Sequence, residues 1–151
     1  MKKINSLLAF LLMGLALTFS SCDEDPTEDL EEIIKEDLGY VPRISTFKLV
    51  TPATATVQPG TNLTLDLRFW SEGQIKDIQF YMRSGGQLTK IGESAYKPAY
   101  SKITRTDSLL FNYQVPATVA PGSKFTIQAR VANQGLEQYP ARDSVVFTVP
   151  Q

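Results

Sequence analysis

From residue 41 onward, apolar and polar positions alternate in short runs broken by Pro and Gly. Residues 61–70 show the pattern best, with Leu63, Leu65, Leu67 and Phe69 on one side and Thr64, Asp66, Arg68 and Trp70 on the other. A period of two is what a strand needs when one face is buried and the other meets water. Residues 74–83 repeat it, setting Ile78, Phe80 and Met82 against Asp77, Gln79, Tyr81 and Arg83. The same reading predicts strands over 44–50, 87–92, 108–115, 123–132 and 143–149. Thr51-Pro52 ends the first, and Ser84-Gly85-Gly86 is a hairpin signal joining the third to the fourth. Residues 93–106 read as an irregular loop and 133–140 as the last loop. Short strands in this number, with no helical period among them, predict an all-β fold: a seven-stranded antiparallel β-sandwich.

An internal match sharpens that expectation. Val57-Gln-Pro-Gly-Thr-Asn-Leu-Thr-Leu-Asp-Leu-Arg-Phe69 parallels Val119-Ala-Pro-Gly-Ser-Lys-Phe-Thr-Ile-Gln-Ala-Arg-Val131. In each, a Pro-Gly pair leads into a strand of the same alternation. Pro presets φ at the first turn position and Gly accepts the positive φ of a type II turn at the second. The segments are too close for each to seed its own sandwich, so they are expected as equivalent strands, one in each sheet. Residues 41–150 resemble bacterial immunoglobulin-like domains, a resemblance carried by Pro121 to Phe125, the strand that follows, and the closing strand at Ser144 to Val149. It implies that the matched segments are the B and F strands of an immunoglobulin-like sandwich. Antibody domains differ in having an inter-sheet disulfide, and here Trp70 stands at a strand end with no Cys pair to pack on.

The first residues follow another pattern. Lys2 and Lys3 precede an apolar run over 7–17, then Phe19-Ser20-Ser21-Cys22 and the acids Asp23, Glu24 and Asp25. A positive start, an apolar stretch of roughly 7 to 15 residues and small residues at a cleavage point make a signal peptide. The stretch is short of the roughly 20 apolar residues that span a bilayer as a helix. Cys22 is the only cysteine, placed so that cleavage leaves it as the first residue. This arrangement resembles bacterial lipoproteins, and the Ser-Cys-acidic pattern is most similar to those of Bacteroidota. The resemblance implies lipidation of Cys22 and a membrane partner through that lipid. It also implies a place in the cell envelope, on the outer membrane, surface-exposed or facing the periplasm. The expected organisation is a signal peptide at 1–21, an acidic tether at 22–40 with room for a short helix, and the sandwich at 41–151.

Charge divides along the same line. The net charge of −1 combines −8 over residues 22–39, nine acids against Lys35, with +5 over 40–151, twelve Lys and Arg against seven Asp and Glu. The acidic stretch reads as a solvated tether. A surplus of five spread over a whole domain is too dilute for a nucleic-acid reader.

Little in the residue types points to catalysis. The chain has no His, which removes the commonest general base and metal ligand, and its one thiol is assigned to lipid. Asp66, Asp77, Glu93, Asp107 and Asp143 are scattered singly and read as solvent-facing charges. No catalytic residue, metal or cofactor is expected. Asp107-Ser108-Leu109 and Asp143-Ser144-Val145 resemble the short Bacteroidota O-glycosylation signal, making Ser108 and Ser144 candidate acceptors. Trp70, Tyr81, Arg83 and Arg130 point outward by alternation, with Tyr96, Tyr100 and Tyr139 in loops. Tyr, Trp and Arg suit protein or sugar recognition. Trp70 and Tyr81 belong on different sheets, whereas Arg83 and Arg130 can share one outer face. The functional expectation is a non-catalytic adhesion or assembly module with a protein partner. The alternative is a carbohydrate-binding accessory lipoprotein of a glycan-uptake system.

Overall fold

The computed structural model describes residues 40–151. The expected signal peptide, Cys22 and the tether up to residue 39 lie outside the described residues. Seven strands follow in order: β1 Arg43–Thr51, β2 Asn62–Trp70, β3 Ile75–Ser84, β4 Gln87–Ala95, β5 Asp107–Gln114, β6 Lys124–Asn133 and β7 Ala141–Thr148. No helix occurs among the described residues. One sheet has the order β1-β2-β5, the other β4-β3-β6-β7, and every strand pair is antiparallel. The chain folds as an immunoglobulin-like β-sandwich.

The alternation decides which side chains fill it. Leu63, Leu65, Leu67 and Phe69 of β2 face inward against Phe125, Ile127, Ala129 and Val131 of β6, with Ile78 and Phe80 of β3 beside them. Phe147 stacks on Phe125 with ring centroids 5.0 Å apart. Each large side chain so buried contributes about 1.5–3 kcal/mol.

The internal match has a structural counterpart. Thr61 N–H donates to the Gln58 carbonyl at 3.1 Å, and Ser123 N–H to the Ala120 carbonyl at 3.2 Å. Gly60 and Gly122 have φ of 83° and 73°, as a type II turn requires. The likeness runs further than the sequence showed. Gly60 N–H donates to the Val115 carbonyl at 2.8 Å and Val115 N–H to Thr61 at 2.9 Å, while Gly122 N–H donates to Val149 at 3.0 Å and Val149 N–H to Ser123 at 2.9 Å. Each turn is thus stitched to the residue after its partner strand, so β2 with β5 repeats β6 with β7.

Two features set the topology. Gly85 and Gly86 both have positive φ, 56° and 84°, the conformation of a two-residue hairpin turn whose twist suits its strands. That hairpin keeps β4 beside β3, whereas the constant-type antibody arrangement places the fourth strand with the first, second and fifth. The chain also crosses between sheets after β1. Val57 N–H donates to the Thr148 carbonyl at 2.9 Å and Thr148 N–H to Ala55 at 3.0 Å, a parallel bridge that covers one end of the β7 edge.

Boundaries depart from expectation at several strand ends. Glu93–Ala95 belong to β4 rather than to the loop, because Glu93, Ser94 and Ala95 pair with Gln79, Ile78 and Asp77. Asn133 closes β6 instead of opening the last loop. Asp66 and Asp107 are also not solvent-facing, for both are buried. Asp66 accepts Arg68 Nε at 2.9 Å on the same strand. Asp107 accepts Ala99 N–H at 2.7 Å and Tyr96 Oη–H at 3.2 Å.

Candidate functional site

The outer face of β4-β3-β6-β7 collects the side chains that alternation turns outward. Register sets them in rows across the sheet: Lys90, Tyr81, Gln128 and Ser144 in one, and Glu93, Gln79, Arg130 and Arg142 in the next. Within these rows the long side chains hold one another. Gln79 Nε2 donates to Asp77 at 2.8 Å, Tyr81 Oη donates to Gln79 Oε1 at 2.6 Å, and Arg130 Nε donates to Gln128 Oε1 at 2.8 Å. The Arg130 guanidinium lies 4.2 Å from the Tyr81 ring centroid, close enough for cation–π attraction. Side chains already held by neighbours lose less rotamer entropy when a partner arrives.

Of the four outward candidates, the fold brings Tyr81 and Arg130 into contact. Arg83 shares their face, opposite Thr126, with Nη1 donating to the Gly86 carbonyl at 3.4 Å. Trp70 is on the other sheet, with the Arg43 guanidinium 5.6 Å from its ring. Tyr81 is not an open aromatic platform, because Arg130 covers one of its faces. Ser144 is exposed and joins the Tyr81 row, a neighbour that register reveals and local pattern does not. Ser108, also exposed, sits on β5 opposite Arg68.

At one end of this face is a depression of about 210 Å³ lined by Lys76, Asp77, Gln79, Arg130, Ala132, Glu137 and Pro140. Lys76 Nζ donates to Glu137 at 2.8 Å. That hydrogen bond, with the amides of Glu137 itself and Gly135, lowers the Glu137 carboxyl from 4.5 to about 2. The same bond and charge raise the Lys76 ammonium above 10.5. A depressed carboxyl favours the folded state above its unfolded value, and the contribution fades as pH falls from 4.5 toward 2. A raised lysine favours it below 10.5 and loses that contribution as pH climbs through the higher folded value. Both groups are open to solvent, so the effect on stability is small. The Glu137 side-chain carboxyl carbon, followed by NMR, should titrate with a midpoint near 2, and Lys76→Met should move it upward. A midpoint unmoved by that substitution would remove the ion pair as the cause.

The other grouping is the end of the sandwich where residues 71–74, 96–106 and 134–140 connect strands and the described chain begins. Asn133 is buried, and its Nδ2 donates to Ser71 Oγ at 2.7 Å and to the Tyr40 carbonyl. It thereby ties the start of the described chain to two of the connections. Asp107 fastens the base of the loop over 96–106 through Ala99 and Tyr96. The Tyr96 ring also packs edge-on against Phe69 at 6.2 Å. Burial first, then the Asp107 charge and hydrogen bond, pushes the Tyr96 phenol upward. Tyr96 is therefore a loop anchor rather than a contact residue. Tyr100 and Tyr139 are exposed here, together with Tyr40, Val41 and Ile103, which periodicity did not single out. No group of three or more His, Cys, Asp or Glu that could hold a metal occurs among the described residues.

No family model matches the sequence, and no curated protein matches it. Among solved structures, the sporulation control protein Spo0M from Bacillus subtilis is 12% identical with a TM-score of 0.45, over 74% of this chain and 50% of that one. A chitin binding domain from Burkholderia pseudomallei is 9% identical with a TM-score of 0.43, over 62% of this chain and 55% of that one. A structure described as FN3tt mut is 19% identical with a TM-score of 0.37, over 73% of this chain and 96% of that one. The chain thus spans about half the length of the first two.

Proposed function

We propose that this chain is a lipid-anchored, non-catalytic binding module of the bacterial cell envelope. It takes a protein partner on the outer face of β4-β3-β6-β7. The anchor is the lipidated Cys22 of a Bacteroidota-type outer-membrane lipoprotein. Acyl chains there contribute about 0.8 kcal/mol per buried methylene, enough together for a lasting attachment. Ser108 and Ser144 are glycan acceptors on this reading. The mass of the envelope-extracted protein tests both, since an unmodified Cys22 or an uncleaved Met1 excludes the anchor and unshifted Ser108 and Ser144 peptides exclude the glycans.

The observation that carries the binding role is the Tyr81–Arg130 stack within its cross-strand rows. It supplies an aromatic and a guanidinium, two of the residue types that dominate interface energetics, on a broad face already held in place. The depression beside it favours a second reading, in which a glycan is the ligand. The Asp77, Gln79 and Arg130 groups lining it suit sugar hydroxyls, as a carbohydrate-binding accessory lipoprotein would require. A photo-crosslinking residue in place of Gln128, between Tyr81 and Ser144, discriminates in living cells. The first reading expects a discrete protein adduct that Arg130→Ala weakens about 30-fold or more, as for a hot spot of 2 kcal/mol. The fold should survive, since a half-buried cation–π pair is worth at most about 2 kcal/mol against a total stability of about 5–15 kcal/mol. A glycan-array signal with no protein adduct would move the conclusion to the second reading. Silence in both assays would sink the two together.

A further inference from the structure

The loop between β4 and β5 ends in a turn whose composition and exposure fit a lipid surface. Residues 102–105 form a tight turn closed by Ser101 and Thr106, with Ser101 N–H donating to the Thr106 carbonyl at 2.9 Å and Arg105 N–H to the Ser101 carbonyl at 2.7 Å. Thr106 Oγ1 donates to Thr104 Oγ1 at 2.9 Å. Arg105 has φ of 54°, the left-handed region that non-glycine residues seldom adopt and that costs strain. What this braced turn presents is Ile103, 95% exposed, beside the exposed Tyr100. Lys97, Lys102 and Arg105 lie along the same loop, and no acid occurs from Tyr96 to Thr106. Asp107, the carboxylate that follows the loop in sequence, is buried.

We infer that this turn docks onto an anionic bilayer surface, with Ile103 entering the headgroup region and Lys97, Lys102 and Arg105 paired with lipid phosphates. An apolar tip flanked by cations matches a surface that is both negatively charged and greasy a few ångströms down. Tyr100 has the amphipathic chemistry enriched at that depth. The position of the turn agrees. The described chain begins at Tyr40 at the same end of the sandwich, tied to Asn133. Tyr40 follows Cys22 by 18 residues, which reach about 60 Å at most when fully extended. The inference rests on the lipid anchor proposed above for its geometry, because a tether of that length makes docking intramolecular and lets a weak contact count. Docked this way, the turn would hold the sandwich by one end and leave the β4-β3-β6-β7 face to the side.

The experiment places an environment-sensitive thiol dye at Thr104→Cys, and in a second chain at Gln87→Cys by the opposite hairpin, in the mature envelope-extracted protein. The protein is reconstituted in vesicles of phosphatidylethanolamine and phosphatidylglycerol in equal parts, or of phosphatidylcholine alone. The expected result is a blue shift and quenching by brominated lipid for the residue-104 dye in the anionic vesicles only, with the residue-87 dye unchanged. Lys102→Glu with Arg105→Glu should lower the docking equilibrium constant by at least roughly fivefold for each cation lost, and Ile103→Asp should abolish docking without shifting thermal unfolding. Equal responses at 104 and 87, or none at 104, would overturn the inference. Dye stoichiometry keeps the two readings apart. A lipidated Cys22 leaves one labelled thiol per chain, and a free Cys22 gives two. In the latter case the anchor fails, and co-sedimentation of the Cys22→Ser chain with the same vesicles still decides the docking.

Discussion

Phe80→Ala should cost about 3–5 kcal/mol, the range for removing a fully buried aromatic ring. Phe80 is 0% exposed and sits where the two sheets meet. Its ring stacks on Phe111 of β5 with centroids 3.8 Å apart and planes 4° from parallel, and lies 6.1 Å from Phe47 of β1. Truncation removes contacts to both outer strands of the opposite sheet at once and leaves a cavity between them. Against a total stability of about 5–15 kcal/mol, such a loss should lower Tm by about 10–20 °C. Urea unfolding checks it: a shifted midpoint at unchanged slope is expected. A loss under about 1 kcal/mol would show instead that Phe111 collapses into the cavity.

Gly92→Val should destabilise by about 1–3 kcal/mol through overpacking, against the sign that strand propensity alone gives. A β-branched residue normally improves a strand, and Gly weakens one. At position 92, however, a Cβ would lie 2.7 Å from Phe111 Cε2 and 3.0 Å from Cζ, and that ring is stacked on Phe80 with centroids 3.8 Å apart. The register agrees, because Phe80 pairs with Gly92 but Tyr81 with Lys90. That leaves Ile91 as the extra residue of a bulge, which bends β4. A double-mutant cycle isolates the cause. In a Phe111→Ala background, Gly92→Val should become neutral or stabilising, with a coupling of about 0.5–3 kcal/mol. The same penalty in both backgrounds would mean that the bulge, and not the ring, requires glycine.

These two residues mark where local reading stops. Phe80 is recognisable as inward-facing from its neighbours in sequence, since period-two alternation depends only on the chain itself. The requirement for glycine at 92 comes from β5, which lies across the open side of the sandwich, and nothing near Gly92 in sequence announces it. Tyr96 behaves similarly. As one aromatic in an irregular stretch it looks available for contact, yet it is spent on Phe69 and Asp107. The recognition face was half legible. Tyr81, Arg83 and Arg130 follow from alternation, but the Tyr81–Arg130 stack and the arrival of Ser144 in their row depend on register between strands far apart in the chain.

The amino-acid order by itself determined the all-β class, the position of every strand to within a few residues, and the equivalence of the two Pro-Gly-led strands. Alternation, turn stereochemistry and strand length are local properties of the backbone. Tertiary structure alone decided that Asp66 and Asp107 are buried, that glycine is required at 92, and that one outer face and one loop tip gather the side chains available to partners. Those outcomes turn on which distant segments are pressed together when two sheets close over a shared core, and the energy of that contact appears only once both surfaces exist.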